Sequence, residues 1–95
     1  MSLIVQKYGG TSVGSAERIR NVAGRILDSQ KSGDQIIAVV SAMGGVTNRL
    51  IELSEEVTGS SQHASEREMD VLLSTGEQTT IALISMAINS MGGKA

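Results

Sequence analysis

The sequence predicts an α/β fold built on a parallel sheet. Two short apolar runs, Leu3–Lys7 and Ile36–Val40, enclose a helical stripe, and each run ends in a glycine-containing loop that opens another helical pattern. The second run is apolar at every position, as expected of a strand inside a parallel sheet covered by helices. Strand, helix and strand in that order make a βαβ unit with a right-handed crossover.

The first run is rich in β-branched residues and is stopped by Gly9-Gly10. From Ser15 the period changes: Ile19, Val22, Ala23, Ile26 and Leu27 recur at i, i+3, i+4, i+7 and i+8, the apolar face of an amphipathic helix. Ser15 suits its N-cap, Glu17 its first turn, and Lys31 with Gly33 its end. After the second run, the loop Ser41-Ala42-Met43-Gly44-Gly45 leads to a helix that begins near Thr47 and ends before Gly59. Thr58 to Ala64 is polar and reads as a loop, and His63 within it is expected to be inert. Ser65-Glu66-Arg67-Glu68 has the form of a capping box and opens a long helical stretch that runs to Gly92-Gly93. Ser74-Thr75-Gly76-Glu77 has the same form and offers a second helix start as the alternative to one continuous stretch. Lys94-Ala95 resembles the approach to a third strand, and two parallel strands are fewer than a doubly wound sheet normally has.

Composition narrows the function. Eight Lys plus Arg against ten Asp plus Glu give a net charge of -2 over 95 residues, without the basic excess of a nucleic-acid binder. No apolar run approaches the roughly 20 residues of a membrane span. The N-terminus lacks the basic and apolar regions of a secretory signal, so the cytoplasm is the expected compartment. There is no Cys, and one His cannot build a multi-histidine metal site. With no Phe or Trp and one Tyr, the core must come from Ile, Leu, Val, Met and Ala; Met43, Met69, Met86 and Met91 are expected to contribute to it. Eleven Gly raise the entropy that folding must overcome. So small a core suggests part of a larger domain, with a free sheet edge that would favour self-association.

Two loops could carry chemistry. Lys7-Tyr8-Gly9-Gly10-Thr11-Ser12-Val13-Gly14 lies between a strand and a helix N-terminus, where backbone N–H groups bind phosphate. It is neither G-x-G-x-x-G nor a Walker A loop, since Ser15 stands where the latter has Lys; the cation is upstream, at Lys7. A glycine-rich turn beside a solvated lysine is the alternative. Ser41-Ala42-Met43-Gly44-Gly45-Val46-Thr47 repeats the arrangement at the second strand's C-terminal end, so both loops would face one site. Ser41 and Thr47 offer hydroxyls there, although Thr47 serves equally well as an N-cap. Glu77 shares a helical row with Leu73, Ile81 and Ile84, which is costly for an unpaired carboxylate. It is either a capping residue at a helix break or a carboxylate held for a cationic ligand group or for Lys7. Arg18, Arg20 and Arg25 form a solvated helix face, Glu55-Glu56 faces solvent, and Arg67 with Glu68 reads best as a capped helix start.

Three segments together resemble the aspartate kinases of the amino-acid kinase superfamily: Lys7 to Gly14, Val40 to Asn48, and Arg67-Glu68-Met69-Asp70 with Leu73 to Gln78. The resemblance covers essentially all 95 residues and implies the N-terminal portion of an amino-acid kinase domain, a parallel-sheet sandwich of the carbamate-kinase type. It implies phosphoryl transfer from ATP with Mg2+ to the side-chain carboxylate of L-aspartate, in a homo-oligomer such as a dimer. By similarity Lys7 is the catalytic lysine; Tyr8, Gly9, Gly10, Ser41, Gly44 and Gly45 surround the nucleotide phosphates; and Ser41, Thr47 and Glu77 bind the acceptor, Glu77 through its amino group. The family's second cationic group, catalytic aspartate, adenine pocket and regulatory ACT domains have no counterpart in these residues. Activity of the 95 residues alone is therefore not expected. Amino-acid kinases acting on glutamate, N-acetylglutamate or carbamate share the Lys and Gly-Gly pattern, and a non-catalytic anion-binding or self-associating module is the alternative of another class.

Overall fold

The computed structural model describes residues 1–61 and 65–95; His63 lies outside them. The elements run β1 (Leu3–Tyr8), α1 (Ala16–Lys31), β2 (Gln35–Val40), α2 (Val46–Thr58) and α3 (Glu66–Ser90). β1 and β2 pair in parallel, with Leu3 opposite Gln35 and Tyr8 opposite Val40. The βαβ unit is therefore formed as the apolar pattern predicts.

Strand alternation divides the sheet into two unlike faces. Ile4, Gln6, Tyr8, Ile36 and Val40 are half-buried, and Tyr8, Ile36 and Val40 pack on the core cluster Val13, Ile19, Val22, Ala23, Ile26, Ile84 and Ile88. α1 and α3 cover this face, and α2 packs on α3. The whole predicted stripe of α1, Ile19 to Leu27, is buried. The opposite face is open: Leu3 and Val5 are each 63% exposed, Ile37 48% and Val39 45%. The expectation that helices cover both faces of β2 is thus met on one side only. The accessible surface is 6316 Å2, against about 5,200 Å2 for a compact chain of this mass. The excess reflects this bare face and the slender 51 × 24 × 18 Å outline.

α3 is one uninterrupted helix of 25 residues, the long helical stretch the pattern predicts, and the alternative break at Ser74-Thr75-Gly76-Glu77 is not formed. The Ser74 and Thr75 hydroxyls donate back to the carbonyls of Val71 and Leu72, each at 2.7 Å, so neither caps a new helix. Gly76 costs the helix about 1 kcal/mol relative to alanine, yet it is buried against Ala42, and tertiary packing prevails. Ser65 takes the N-cap position without a side-chain hydrogen bond, so the expected capping box does not close; Glu68 instead lies 3.7 Å from the exposed Arg67. By length and composition α3 is apolar enough to cross a membrane. Its Gly76, Thr80, Ile84 and Ile88 are nevertheless buried within the fold.

Three smaller expectations also change. Gly45, not Thr47, is the N-cap of α2. Met86 and Met91 are 65% and 39% exposed, so only Met43 and Met69 of the four methionines are even half-buried. Lys94-Ala95 forms no strand; the Ala95 N–H donates to Asn89 Oδ1 at 3.0 Å, folding these residues back on the end of α3.

Burial along α3 separates the residues that hold it. Ile84 is 4% exposed and Ile81 54%. In urea titrations of this chain followed by circular dichroism, Ile84→Ala is expected to cost about 2–5 kcal/mol, and Ile81→Ala no more than about 0.5 kcal/mol.

Candidate active site

The site forms where the loops after β1 and β2 meet α3. The first loop is a run of tight turns: the N–H groups of Ser12, Val13 and Gly14 donate to the carbonyls of Gly9, Gly10 and Thr11 at 3.0–3.3 Å. Val13 is fully buried and anchors this loop in the core. Arg18 Nη1 donates to the Thr11 carbonyl at 2.8 Å, closing the loop from outside. Arg18 thus does more than line a solvated helix face.

The second loop continues the sheet ladder, with the Ser41 N–H donating to the Tyr8 carbonyl at 3.1 Å. The two loops then touch backbone to backbone. A Cβ on Gly10 would lie 3.1 Å from the Ala42 carbonyl oxygen, and one on Gly44 would lie 3.4 Å from the Gly10 carbonyl oxygen. On its other side, Ala42 rests against Gly76 of α3. Gly45 turns the chain into α2 with φ +84°, a left-handed conformation suited to glycine.

These contacts shape a pocket of about 250 Å3 lined by Gly10, Ser41, Ala42, Met43, Gly44, Gly45, Thr47, Asn48 and Glu77. Ser41, Thr47, Gly44, Gly45 and Gly10 of the two glycine loops therefore share one concavity with Glu77. Ala42, Met43 and Asn48, none of them a candidate site residue from the sequence, complete the lining. The place of Asn48 in the first turn after a glycine cap is the signal that marks it.

The two helix N-termini differ electrostatically. α1 is capped by Ser15, whose Oγ accepts from the Arg18 N–H at 3.2 Å, and carries Glu17 in its first turn. α2 has a glycine cap without a side-chain acceptor and no acid in its first turn. An anion is therefore better placed at the start of α2, where the N–H groups and the positive end of the helix dipole meet the pocket.

Other sequence candidates lie elsewhere. Lys7 sits opposite Val39 and is exposed, alternating with Leu3 and Val5 on the open face. It borders a separate depression of about 560 Å3 with Gln6, Tyr8, Ser12, Arg25, Asp28 and Ser29. Among the described residues no ion pair joins Lys7 to Glu77. The Tyr8 ring packs on the core and its hydroxyl donates to Gln6 Oε1 at 2.8 Å, so the tie of Tyr8 to the second loop is its carbonyl. Gly9 has no side chain to offer and accepts the Ser12 N–H. Arg67 and Glu68 are exposed at the far end of α3 and do not line the pocket.

The chain resembles several characterised proteins. It is 54% identical to an aspartokinase from Bacillus sp. (strain MGA3) over 95 residues, all of this chain and 22% of that protein. It is also 54% identical to an aspartate kinase from Pseudomonas fluorescens (strain SBW25) over 92 residues, 97% of this chain and 22% of that protein. The crystal structure of aspartate kinase from Synechocystis superposes with a TM-score of 0.86 at 49% identity, covering 94% of this chain and 15% of that one. The chain thus spans about a fifth of the length of the curated relatives it matches. The sequence model of the amino acid kinase family matches residues 2–95. With that match over nearly every residue, and a fold shared at 49% identity, the chain belongs to the amino acid kinase family.

Proposed function

We propose that these residues form part of an aspartate kinase, which transfers the γ-phosphoryl group of ATP to the β-carboxylate of L-aspartate and releases 4-phospho-L-aspartate and ADP. The observation that carries this reading is the single pocket lined both by a helix start without a capping side chain or first-turn acid and by Glu77. Such a pocket suits a pair of substrates, one bringing phosphates and the other an ammonium group, and the aspartate kinases are about 50% identical in sequence.

In this reaction a β-carboxylate oxygen attacks the γ-phosphorus as the bond to the bridging oxygen of ADP breaks. Charge spreads over the equatorial phosphoryl oxygens, and the protein's task is positioning and electrostatic stabilisation. The backbone of Gly10, Gly44 and Gly45 and the start of α2 hold the phosphates. The hydroxyls of Ser41 and Thr47 lie between the phosphates and the acceptor. Glu77 binds the aspartate ammonium and so sets which carboxylate faces the phosphoryl group. Tyr8 and Gly9 act through their backbone as the base of the first loop. Lys7 stands at the same C-terminal end of the sheet but outside this pocket, and its role as the cation that stabilises the transferred group is taken from the similarity to the aspartate kinases.

Magnesium, when bound, neutralises phosphate oxygens and is held largely by those oxygens and water. The reaction would take place in the cytoplasm, at the entry to the aspartate family of amino acids (lysine, threonine and methionine), in a homo-oligomeric enzyme.

Hydroxylamine trapping tests the acceptor in the protein at the full length of its relatives. With ATP and magnesium, aspartate is expected to give aspartyl hydroxamate; product from glutamate alone would overturn the acceptor assignment. Lys7→Ala is expected to lower kcat by about 10²–10³-fold with the fold intact by circular dichroism. Glu77→Ala removes a charge-assisted contact made before the chemical step. It is expected to raise KM for aspartate about 10- to 150-fold, with a much smaller change for ATP.

A further inference from the structure

Gly76 occupies an unusual position: it is a buried glycine in the middle of a continuous helix, one residue before Glu77. A Cβ at this position would stand 2.8 Å from Ala42 Cβ, 3.3 Å from Val46 Cγ1 and 3.9 Å from Leu50 Cδ1. Carbon atoms pack at about 3.5–4.0 Å, so the first of these contacts requires a shift of about 1 Å. Ala42 Cβ has no rotamer that would relieve it, because the atom is fixed to the loop backbone. Ala42 is itself 5% exposed, and its carbonyl oxygen would be only 3.1 Å from a Cβ on Gly10. The second loop is therefore held between the first loop and α3, with little room on either side.

We infer that the Gly76–Ala42 contact is a positioning device that sets the distance between Glu77 and the phosphate-facing second loop. The inference rests on the functional reading above and deepens it, because it concerns how acceptor and phosphoryl group are aligned. Neither residue touches the reacting atoms; they act through the helix that carries Glu77 and the loop that carries Ser41, Gly44 and Gly45. Thr80, fully buried one turn on, donates its hydroxyl to the Gly76 carbonyl at 3.3 Å and fastens this stretch of helix from within. An added methyl at position 76 separates the two sides by about 1 Å, a misplacement that can cost a reaction about 100-fold.

The test is a double-mutant cycle in the full-length protein. Gly76→Ala is expected to lower kcat at least tenfold, while the affinity for ATP alone, measured by calorimetry, stays within threefold. Ala42→Gly introduced into that variant removes the opposing methyl and is expected to restore kcat to within threefold of the parent. A Gly76→Ala protein with unchanged kcat, or a loss that Ala42→Gly does not rescue, would overturn the inference. If Gly76→Ala does not fold, the double variant must fold, and its failure counts equally against the contact. The cycle is read with whichever acceptor the parent phosphorylates, so a failure of the aspartate assignment is seen in the parent and is distinct from a failure here. Crystal structures of the parent, single and double variants supply a readout independent of turnover. The separation of α3 from the second loop should widen by about 1 Å in Gly76→Ala and close again in the double variant, and an unchanged separation overturns the inference.

Discussion

The site depends on the close crossing of three backbones at Ala42. This residue lies between Gly10 of the first loop and Gly76 of α3, and each neighbour lacks the one carbon that would force it away. The sheet supplies the approach, because parallel strands deliver both loops to one end. The buried Val13 and the ladder bond from Ser41 to Tyr8 hold those loops in register with the core. Without this crossing, the hydroxyls of one loop and the carboxylate of α3 would lie on separate surfaces.

Charge completes what geometry begins. Both helices after the strands begin near the site, but α1 satisfies its own N-terminus with Ser15 and Glu17. α2 begins from a glycine and has no acid in its first turn, leaving its positive end to a ligand. Glu77 lines the same pocket, half-buried and outside every ion pair found among the described residues. The pocket thus combines a helix start open to an anion with a carboxylate open to a cation, as the proposed pair of nucleotide phosphates and an amino acid requires.

Much of this was legible in the sequence where a residue's role is local or periodic. The stripe of α1, the two strands and the glycine loops follow from spacing, and the family followed from three motifs in order. What escaped was decided by contacts between distant segments. The Ser-x-x-Glu pattern at Ser74 suggests a helix start, yet the hydroxyls of Ser74 and Thr75 turn back on their own helix and Gly76 is pressed against Ala42. The complete burial of Val13 and Thr80 has no periodic signal, since one lies in a loop and the other is polar. Lys7 shows the converse: its place at the sheet end was clear, but strand alternation puts it on the open face, away from the pocket that holds Glu77.

That open face sets the scale of the site described by these residues. Leu3, Val5, Ile37 and Val39 leave an apolar sheet surface beside the exposed Lys7, and the curated relatives are more than four times as long. The most direct measurement is a crystal structure of the full-length protein with a non-hydrolysable ATP analogue and aspartate. The phosphates should lie on the N–H groups of the second loop and the start of α2, with the aspartate ammonium on Glu77. Phosphates seated at the start of α1, or an aspartate bound without Glu77, would contradict the assignment of this pocket.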